Sequence, residues 1–509
     1  MAFYFLGIDS GTQSTKVLIV DESGRTVGQG QQPYDLIFGL GPGHKEQHPQ
    51  TWVNALVTAV HAAIKNSGID SRRIKAIGVS GQQHGFVPLD AGGDVIRPAK
   101  LWCDTATATQ AEKIIAALGG PKEMIRLTGN SLPAGFTASK IRYLKEREPD
   151  NYQRLATILL PHDYINFRLT GEKRMEWGDA SGTGLLDVRT RTFCEPVINA
   201  VDPDIKHCLP GLFPSNEPCG RLTPEAADQL GLKPGIPVGA GGGDNMMAAI
   251  GTGNVRPGIV TASIGTSGTI YAFSPEPVVD PEGEIAAFCD STGHWLPLLC
   301  VMNATVATEL VKRLFSLTTG EINHLAATVV PGAEGLMLLP YFEGERVPDA
   351  PDGSGVWFGQ NRTNATSGHF ARAAMEGVAL GMGYGLKRLK DLGVAPAEIR
   401  LTGGGGNSPV WRQIMADVFQ TEVVCTRQTE SAAFGAAIQA AWTRHSQTDR
   451  PVDLTALTDA WVTLDESTRC VPRSTHIQLY EDMQSCHNAL SRSMREVFRR
   501  HHRLFSTQP

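Results

Sequence analysis

Residues 5–21 read FLGIDSGTQSTKVLIVD, and the segment after the glycine turn decides the fold. In a P-loop or a dinucleotide fingerprint, the turn opens a helix whose N-terminus holds a phosphate. Here the run after Lys16, VLIVD, is β-branched and apolar, so the stretch predicts strand, tight polar turn, strand. Its own flank excludes the helix-capped phosphate loops and leaves an acidic, hydroxyl-rich hairpin to be explained.

The same pattern occurs twice. After the first two strands, ESGR turns the chain into a third strand, TVGQG; an amphipathic helix at 51–66 and the strand IKAIGVS come next. Far downstream, GIVTASIGTSGTIYAF at 258–273 repeats strand, Gly-Thr-Ser-Gly turn, strand. Two copies predict two related α/β halves. Between them, KPGIPVGAGGGDNMMAAIGTG at 233–253 reads as a short strand, a glycine turn and a small-residue helix. The boundary is expected near residue 250, giving domains over 1–250 and 251–445 and a polar helical tail over 446–509, packed on or extending from the second domain as a surface helix that frays at its terminus. A long helix is predicted over roughly 367–390, with Gly377, Gly381, Gly383 and Gly385 permitting close packing against a neighbouring backbone. The stretch IRLTGGGGNSPVWRQIMADVF then gives a strand, a four-glycine turn and a helix.

At 509 residues the chain exceeds what one hydrophobic core serves, in keeping with two large domains. A net charge of −6 with scattered basic residues gives no footprint for nucleic acid or an anionic membrane, so a small molecule is the expected partner. Nine cysteines, widely spaced and never Cys-x-x-Cys, suggest reduced thiols. With no signal-like or membrane-spanning stretch, the expected location is the cytoplasm.

The turn residues Asp9, Ser10, Gly11, Thr12, Gln13 and Ser14, and Gly265, Thr266, Ser267 and Gly268, combine glycines that let backbone N–H groups approach an anion with hydroxyls that donate to it. Either alone reads as an ordinary hairpin turn; a matched pair points to nucleotide phosphates. Asp9, beside such a cradle, would repel phosphate unless a divalent cation such as magnesium intervened, bound through water; the plainer reading is a turn cap. Asp244 lies after a strand, at a glycine turn and a helix start, where side chains enter the crevice of an α/β sheet. It would accept a proton from an attacking hydroxyl, or serve as a helix N-cap. Asn245 beside it would donate to a sugar hydroxyl or brace the loop. Lys16 is open between the phosphates and solvent.

GIDSGTQSTKV, GVSGQQHG, LWCDTATA, GGGDN, SIGTSG, YFEGERVP and LTGGGGNSPVWRQIMADVF occur in the order and spacing of the FGGY carbohydrate kinases, which the chain resembles from about residue 5 to about 442. Within that family, the kinases of ketopentoses are most similar. The resemblance implies two actin-like and hexokinase-like, ribonuclease H-like ATPase domains with a cleft between them, with ATP and Mg2+ mainly on the second and a sugar mainly on the first. It implies phosphorylation of a ketopentose, D-xylulose first, with L-ribulose, another ketose or glycerol as alternatives, and a homodimer. Asp244 resembles the catalytic base, and Asp9 the residue that organises the magnesium, with both carboxylates reaching it through water. Gly11, Thr12, Gln13 and Ser14, and Gly265 with Thr266, match the phosphate-contacting turns; Gly404, Gly405 and Asn407 match the loop against the adenosine. Gln83 and His84 lie where a ketose is held, and Trp102 and Asp104 match a Trp-x-Asp pattern lining the sugar pocket. His84 as a structural histidine and Trp102 as plain core stay open.

Three departures bear on the sugar. Gln83 stands where methionine is common, Ala106 where many members have arginine, and Tyr143 where tryptophan is usual. GQQHG and the GERVP loop favour a ketopentose pocket. The actin-like fold also supports assembly or chaperone ATPases. A filament or chaperone needs no sugar site, so Asp244, Asn245 and the Trp-x-Asp pair favour the kinase.

Overall fold

In the computed structural model of the protein, which describes residues 3–448 and 451–505, the opening stretch folds as predicted. Strands β1 (Tyr4–Ser10) and β2 (Ser14–Asp21) pair antiparallel about a three-residue turn, and β3 (Thr26–Pro33) pairs antiparallel with β2. The helix Pro49–Ser67 then carries the chain across to β4 (Ile74–Gly81), which lies parallel to β1 on its other edge. With β5 (Gly220–Arg221) and β6 (Pro237–Val238) the order is β5-β6-β4-β1-β2-β3, and β7 (Gly242–Gly243) adds to the end of β4. The apolar alternation explains the layering: Leu6, Ile8, Val17 and Ile19 face a core shared with Trp52, Leu56 and Ala59 of the helix, while Phe5, Leu18 and Val20 face a second core. Each such fully buried side chain is worth roughly 1.5–3 kcal/mol relative to exposure.

A second sheet repeats the plan. Strands β8 (Ile259–Ile264) and β9 (Gly268–Ala272) form a hairpin, β10 (Trp295–Val301) pairs with β9, and β11 (Glu398–Thr402), β12 (Glu422–Thr426) and β13 (Leu464–Cys470) follow on the other side, so that six of its seven strands run in the order β10-β9-β8-β11-β12-β13. In both sheets the first strand lies between its antiparallel hairpin partner and a later strand parallel to it, and the hairpin partner carries a further antiparallel strand on its outer edge. The duplication visible in two turns thus extends to four central strands of each sheet.

The compact units formed by packing are discontinuous in sequence. One comprises Met1–Arg256, Phe273–Pro297 and Glu430–Thr463; the other comprises Pro257–Ala272, Leu298–Thr429 and Leu464–Pro509. The helix Ser431–Ser446 belongs to the first unit because its alanines pack on β1 and β4. Gly7 and Gly78, register partners on those strands, leave the room: a Cβ would lie 2.0 Å from Ala433 O at Gly7 and 1.9 Å from Ala436 O at Gly78. The same helix meets the helix Asp244–Gly251 through glycine, where a Cβ at Gly435 would lie 1.8 Å from Met247 O.

From Leu464 onward the tail is built into the second unit. The helix Ile477–Phe505 buries Tyr480, His487, Ser491 and Phe498 in the second unit, and the Tyr480 hydroxyl donates to Glu376 Oε1 at 2.8 Å. An amphipathic stripe explains its length. In the helix Ser367–Asp391, the expected packing against a neighbouring backbone is met at Gly377, on Leu338 O; Gly383 and Gly385 make room for the side chains of Gln484 and Leu299, and at Gly381 a Cβ would meet nothing within 4 Å. Among the described residues, no helix is long and apolar enough to cross a membrane.

The Gly435 contact predicts that Gly435→Ala costs about 1–3 kcal/mol of stability, as overpacking does. Calorimetric unfolding checks it, and an unchanged melting temperature would contradict the packing account.

Candidate active site

Strand register brings the two singled-out carboxylates to one end of the first sheet. Asp9 is the partner of Ser80 on β4, and Gly242, two residues before Asp244, pairs with the same Ser80 from the opposite side. Ser80 Oγ donates to Asp9 Oδ1 at 2.7 Å. Burial pushes the Asp9 pKa up, and the Ser80 hydroxyl and Lys16 only partly offset it. Asp244 is raised to about 7, first by burial and then by the negative charges of Asp9 and Asp179. Its Oδ1 accepts from the Asn245 backbone N–H at 2.8 Å and from Asn245 Nδ2 at 3.1 Å, and Asn245 Nδ2 also donates to Gln83 Oε1 at 2.6 Å. Gln83, Asn245 and Asp244 therefore form one connected set. Lys16 is resolved as an ion pair: its Nζ lies 2.6 Å from Glu430 Oε2, with both side chains about one-third exposed.

The first turn is held by its carbonyls. Tyr34 Oη donates to Gly11 O at 2.6 Å, Gln47 Nε2 to Thr12 O at 2.7 Å, and the Tyr34 N–H to Gln13 O at 3.0 Å. In a planar trans peptide the C=O and the next N–H point oppositely, so tying Gly11 O and Thr12 O inward aims the amides of Thr12 and Gln13 outward. The second turn uses the same device with other residues: the Thr305 N–H donates to Gly265 O and the Ala304 N–H to Thr266 O, both at 2.9 Å. Outward amides with adjacent hydroxyls make an anion cradle in each unit. Ser14 Oγ receives Gln31 Nε2 at 3.1 Å, beside the turn.

Trp102 and Asp104 part company. Trp102 Nε1 donates to Thr12 Oγ1 at 3.0 Å, linking the expected sugar side to the phosphate turn. Asp104 is fully buried, and its oxygens accept from Lys100 Nζ, the Lys45 N–H and the Ala106 N–H at 3.0, 2.9 and 3.1 Å. The carboxylate expected to accept from a sugar instead organises its own loop. The Lys100 ammonium lies 3.2 Å from His44 Nδ1 and 3.1 Å from Glu46 Oε1, supplying the positive charge in that group, and it sits 4.4 Å from the centre of the Tyr143 ring. Tyr143, one of the three departures, covers this lysine.

His84 sits in a seat the sequence did not announce. Its backbone is left-handed, with φ at 58°. Lys140 Nζ donates to its carbonyl at 2.7 Å, and its own N–H donates to Asp179 Oδ1 at 3.2 Å. Burial alone would raise Asp179; hydrogen bonds from His162 and His84 overcome it and hold its pKa at about 2. His162, buried between Asp163 at 2.9 Å and Asp179 at 3.4 Å, would be pushed down by burial, but these carboxylates hold it well above the usual histidine value. The small-residue run GDASGTG at 178–184 was the available signal: a buried aspartate among glycines marks a backbone that another group must approach.

In the second unit, Gly403 and Gly405 are pressed onto Ile264, while Gly404 has nothing within 4 Å of a Cβ position, and Gly404 and Asn407 are exposed. Ser408 caps the helix Pro409–Phe419 by accepting from the Trp411 N–H. The GERVP loop lies in this unit. Buried Glu345 accepts from the Met302 N–H at 2.7 Å and from Asn303 Nδ2 at 3.3 Å, bracing the segment whose next two amides hold the Gly265–Thr266 turn.

With this geometry in place, comparison with known proteins fixes the class. The FGGY carbohydrate kinase N-terminal domain matches residues 4–251 and the C-terminal domain residues 260–444, so the chain belongs to the FGGY family of carbohydrate kinases. It is an ATP-dependent sugar kinase of the actin-like ATPase type, which decides against an assembly or chaperone ATPase. The xylulose kinase of Haemophilus influenzae is 39% identical over 485 residues, covering 94% of this chain and 97% of its own. The crystal structure of xylulose kinase from Rhodospirillum rubrum superposes with a TM-score of 0.87 at 28% identity, covering 97% of this chain and all of that one. A gluconate kinase from Lactobacillus acidophilus reaches a TM-score of 0.91 at 22% identity, covering 98% of this chain and all of its own, so the fold does not choose the sugar.

A carboxyl whose folded pKa exceeds its unfolded value favours folding only while protonated, so the Asp244 contribution declines as pH rises from about 4 to about 7. Asp244→Asn should therefore melt above the parent at pH 8, with the gap narrowing at pH 5. An equal gap at both pH values would contradict the raised pKa.

Proposed function

We propose that the protein transfers the γ-phosphoryl group of ATP to the terminal hydroxyl of D-xylulose, giving the 5-phosphate. The observation that carries this reading is the meeting of Asp9 and Asp244 at one sheet end, with Asp244 raised to about 7. The near full-length relation to a xylulose kinase supports the choice of sugar. A base with a pKa near neutrality is about half ionised at neutral pH and binds a proton more strongly than an ordinary carboxylate.

The hydroxyl oxygen forms its bond to the γ-phosphorus, the bond from that phosphorus to the bridging oxygen of ADP breaks, and the hydroxyl proton passes to an Asp244 carboxylate oxygen. Asn245 and Gln83, hydrogen-bonded to one another, hold Asp244 in orientation. His84 and Trp102 bind the ketose. The outward amides of the two hairpin turns, with Thr12, Ser14 and Thr266, receive phosphate oxygens, and Gly404, Gly405 and Asn407 pack on the adenosine. Asp9 and Asp244 fit a divalent cation, because two mutually repelling carboxylates are the donor set it would neutralise. Magnesium held there through its waters would offset the charge of the phosphates. Gln83, polar where methionine is common, is the residue through which another ketose such as L-ribulose would be favoured.

Asp244→Asn tests the base. Turnover should fall by at least about a thousandfold while D-xylulose still binds, with ADP release and a tryptophan-fluorescence titration as readouts. An active Asn variant would remove Asp244 from this role.

A further inference from the structure

His84 is enclosed on several sides. Its ring packs against Phe136 and Phe288, at centroid distances of 4.9 and 5.2 Å, the three rings forming one triangular cluster, and over the backbone of Gly182. A Cβ at Gly182 would fall 1.9 Å from both Nδ1 and Cε1 of that ring, space no side chain can share with it. Retreat is blocked by the two phenylalanines. The main chain of His84 has little freedom to compensate, because its carbonyl is held by Lys140 Nζ and Thr137 Oγ1 and its N–H by Asp179. A left-handed backbone at a non-glycine residue persists where its surroundings over-determine it, as they do here.

The same oxygen that takes the His84 N–H also lies 3.1 Å from Nδ1, near it but out of line for a hydrogen bond. A lone pair that close to a carboxylate is repelled and a proton is favoured, so in the neutral imidazole Nδ1 bears the proton and Nε2 is the acceptor. An acceptor nitrogen is the partner that a sugar hydroxyl, as donor, requires.

We propose that Gly182 and Asp179 are positioning residues of the sugar subsite: Gly182 leaves the space that the His84 ring fills, and Asp179 fixes which ring nitrogen bears the proton. The proposal rests on the reading of His84 as a ligand of the sugar. Neither residue touches the sugar itself; both act through one histidine.

Epistasis tests it. Gly182→Ala should raise KM for D-xylulose about tenfold, the loss of one well-placed hydrogen bond, with KM for ATP within about twofold of the parent. His84→Ala should raise KM for D-xylulose as well. The double variant should match His84→Ala, because the ring that the new methyl would strike is gone. For the same reason, any folding defect of Gly182→Ala should be relieved in the double variant. In Asp179→Asn, the 15N spectrum of His84 should lose its single Nδ1-protonated form. An unchanged sugar KM in His84→Ala would overturn the ligand reading itself. A raised KM in His84→Ala, with either no effect of Gly182→Ala or a further loss in the double variant, would overturn the positioning role while leaving that reading intact. A folding defect that persists in the double variant, or an unaltered His84 spectrum in Asp179→Asn, would likewise overturn it.

Discussion

Two carboxylates held at the end of one sheet, half-buried and close enough to repel, are the constraint around which the first unit is arranged. Asp9 lies on β1 in register with Ser80 of β4, and Asp244 follows β7, whose Gly242 pairs with the same Ser80 from the other side. Neither ionises freely there without a counter-charge, as their raised pKa values record. Such an arrangement opposes folding, and it persists because the scaffold beneath it is rigid: glycines at Gly7, Gly78 and Gly435 bring helix backbone onto strand and helix with no side chain between. Stability built into the packing offsets a site that a phosphoryl-transfer enzyme needs and an inert protein would not keep.

The duplicated hairpins solve a second problem, that of aiming backbone dipoles. Each turn has its carbonyls drawn inward, by Tyr34 and Gln47 in one unit and by the amides of Ala304 and Thr305 in the other. The partners are unrelated in sequence and the result is the same. Preoriented amides need no reorganisation when charge arrives, which is where fixed dipoles surpass water. Glu345 extends the logic outward by bracing the segment that holds the second turn.

Sequence made the local pattern legible and long-range partners invisible. The strand after Lys16, the repeated Gly-Thr turn and the glycine turn before Asp244 are contiguous signals, so the sheets, both hairpins and the principal carboxylates were readable. Tyr34, Gln47 and Asp179 act across gaps of 23, 35 and 95 residues, and no local pattern marks them. Asp104 misled for a related reason: a carboxylate beside a tryptophan reads as pocket-lining until Lys100 is seen to take it. The extent of the tail's burial was hard to read because its few buried positions, Tyr480, His487 and Phe498 among them, are scattered through a polar stretch. The discontinuous units could not be read either, since the helix Ser431–Ser446 returns to the first sheet after the whole of the second has been laid down but for its last strand.

The central claim is that these carboxylates and turns serve phosphoryl transfer to a ketopentose. Its most direct test is a coupled ADP-release assay across ketopentoses, ketohexoses and polyols at fixed MgATP. The account predicts that D-xylulose gives the highest kcat/KM, with one ADP released per sugar consumed and turnover lost when magnesium is chelated. ADP release that is indifferent to sugar, or fastest with a polyol, would contradict it.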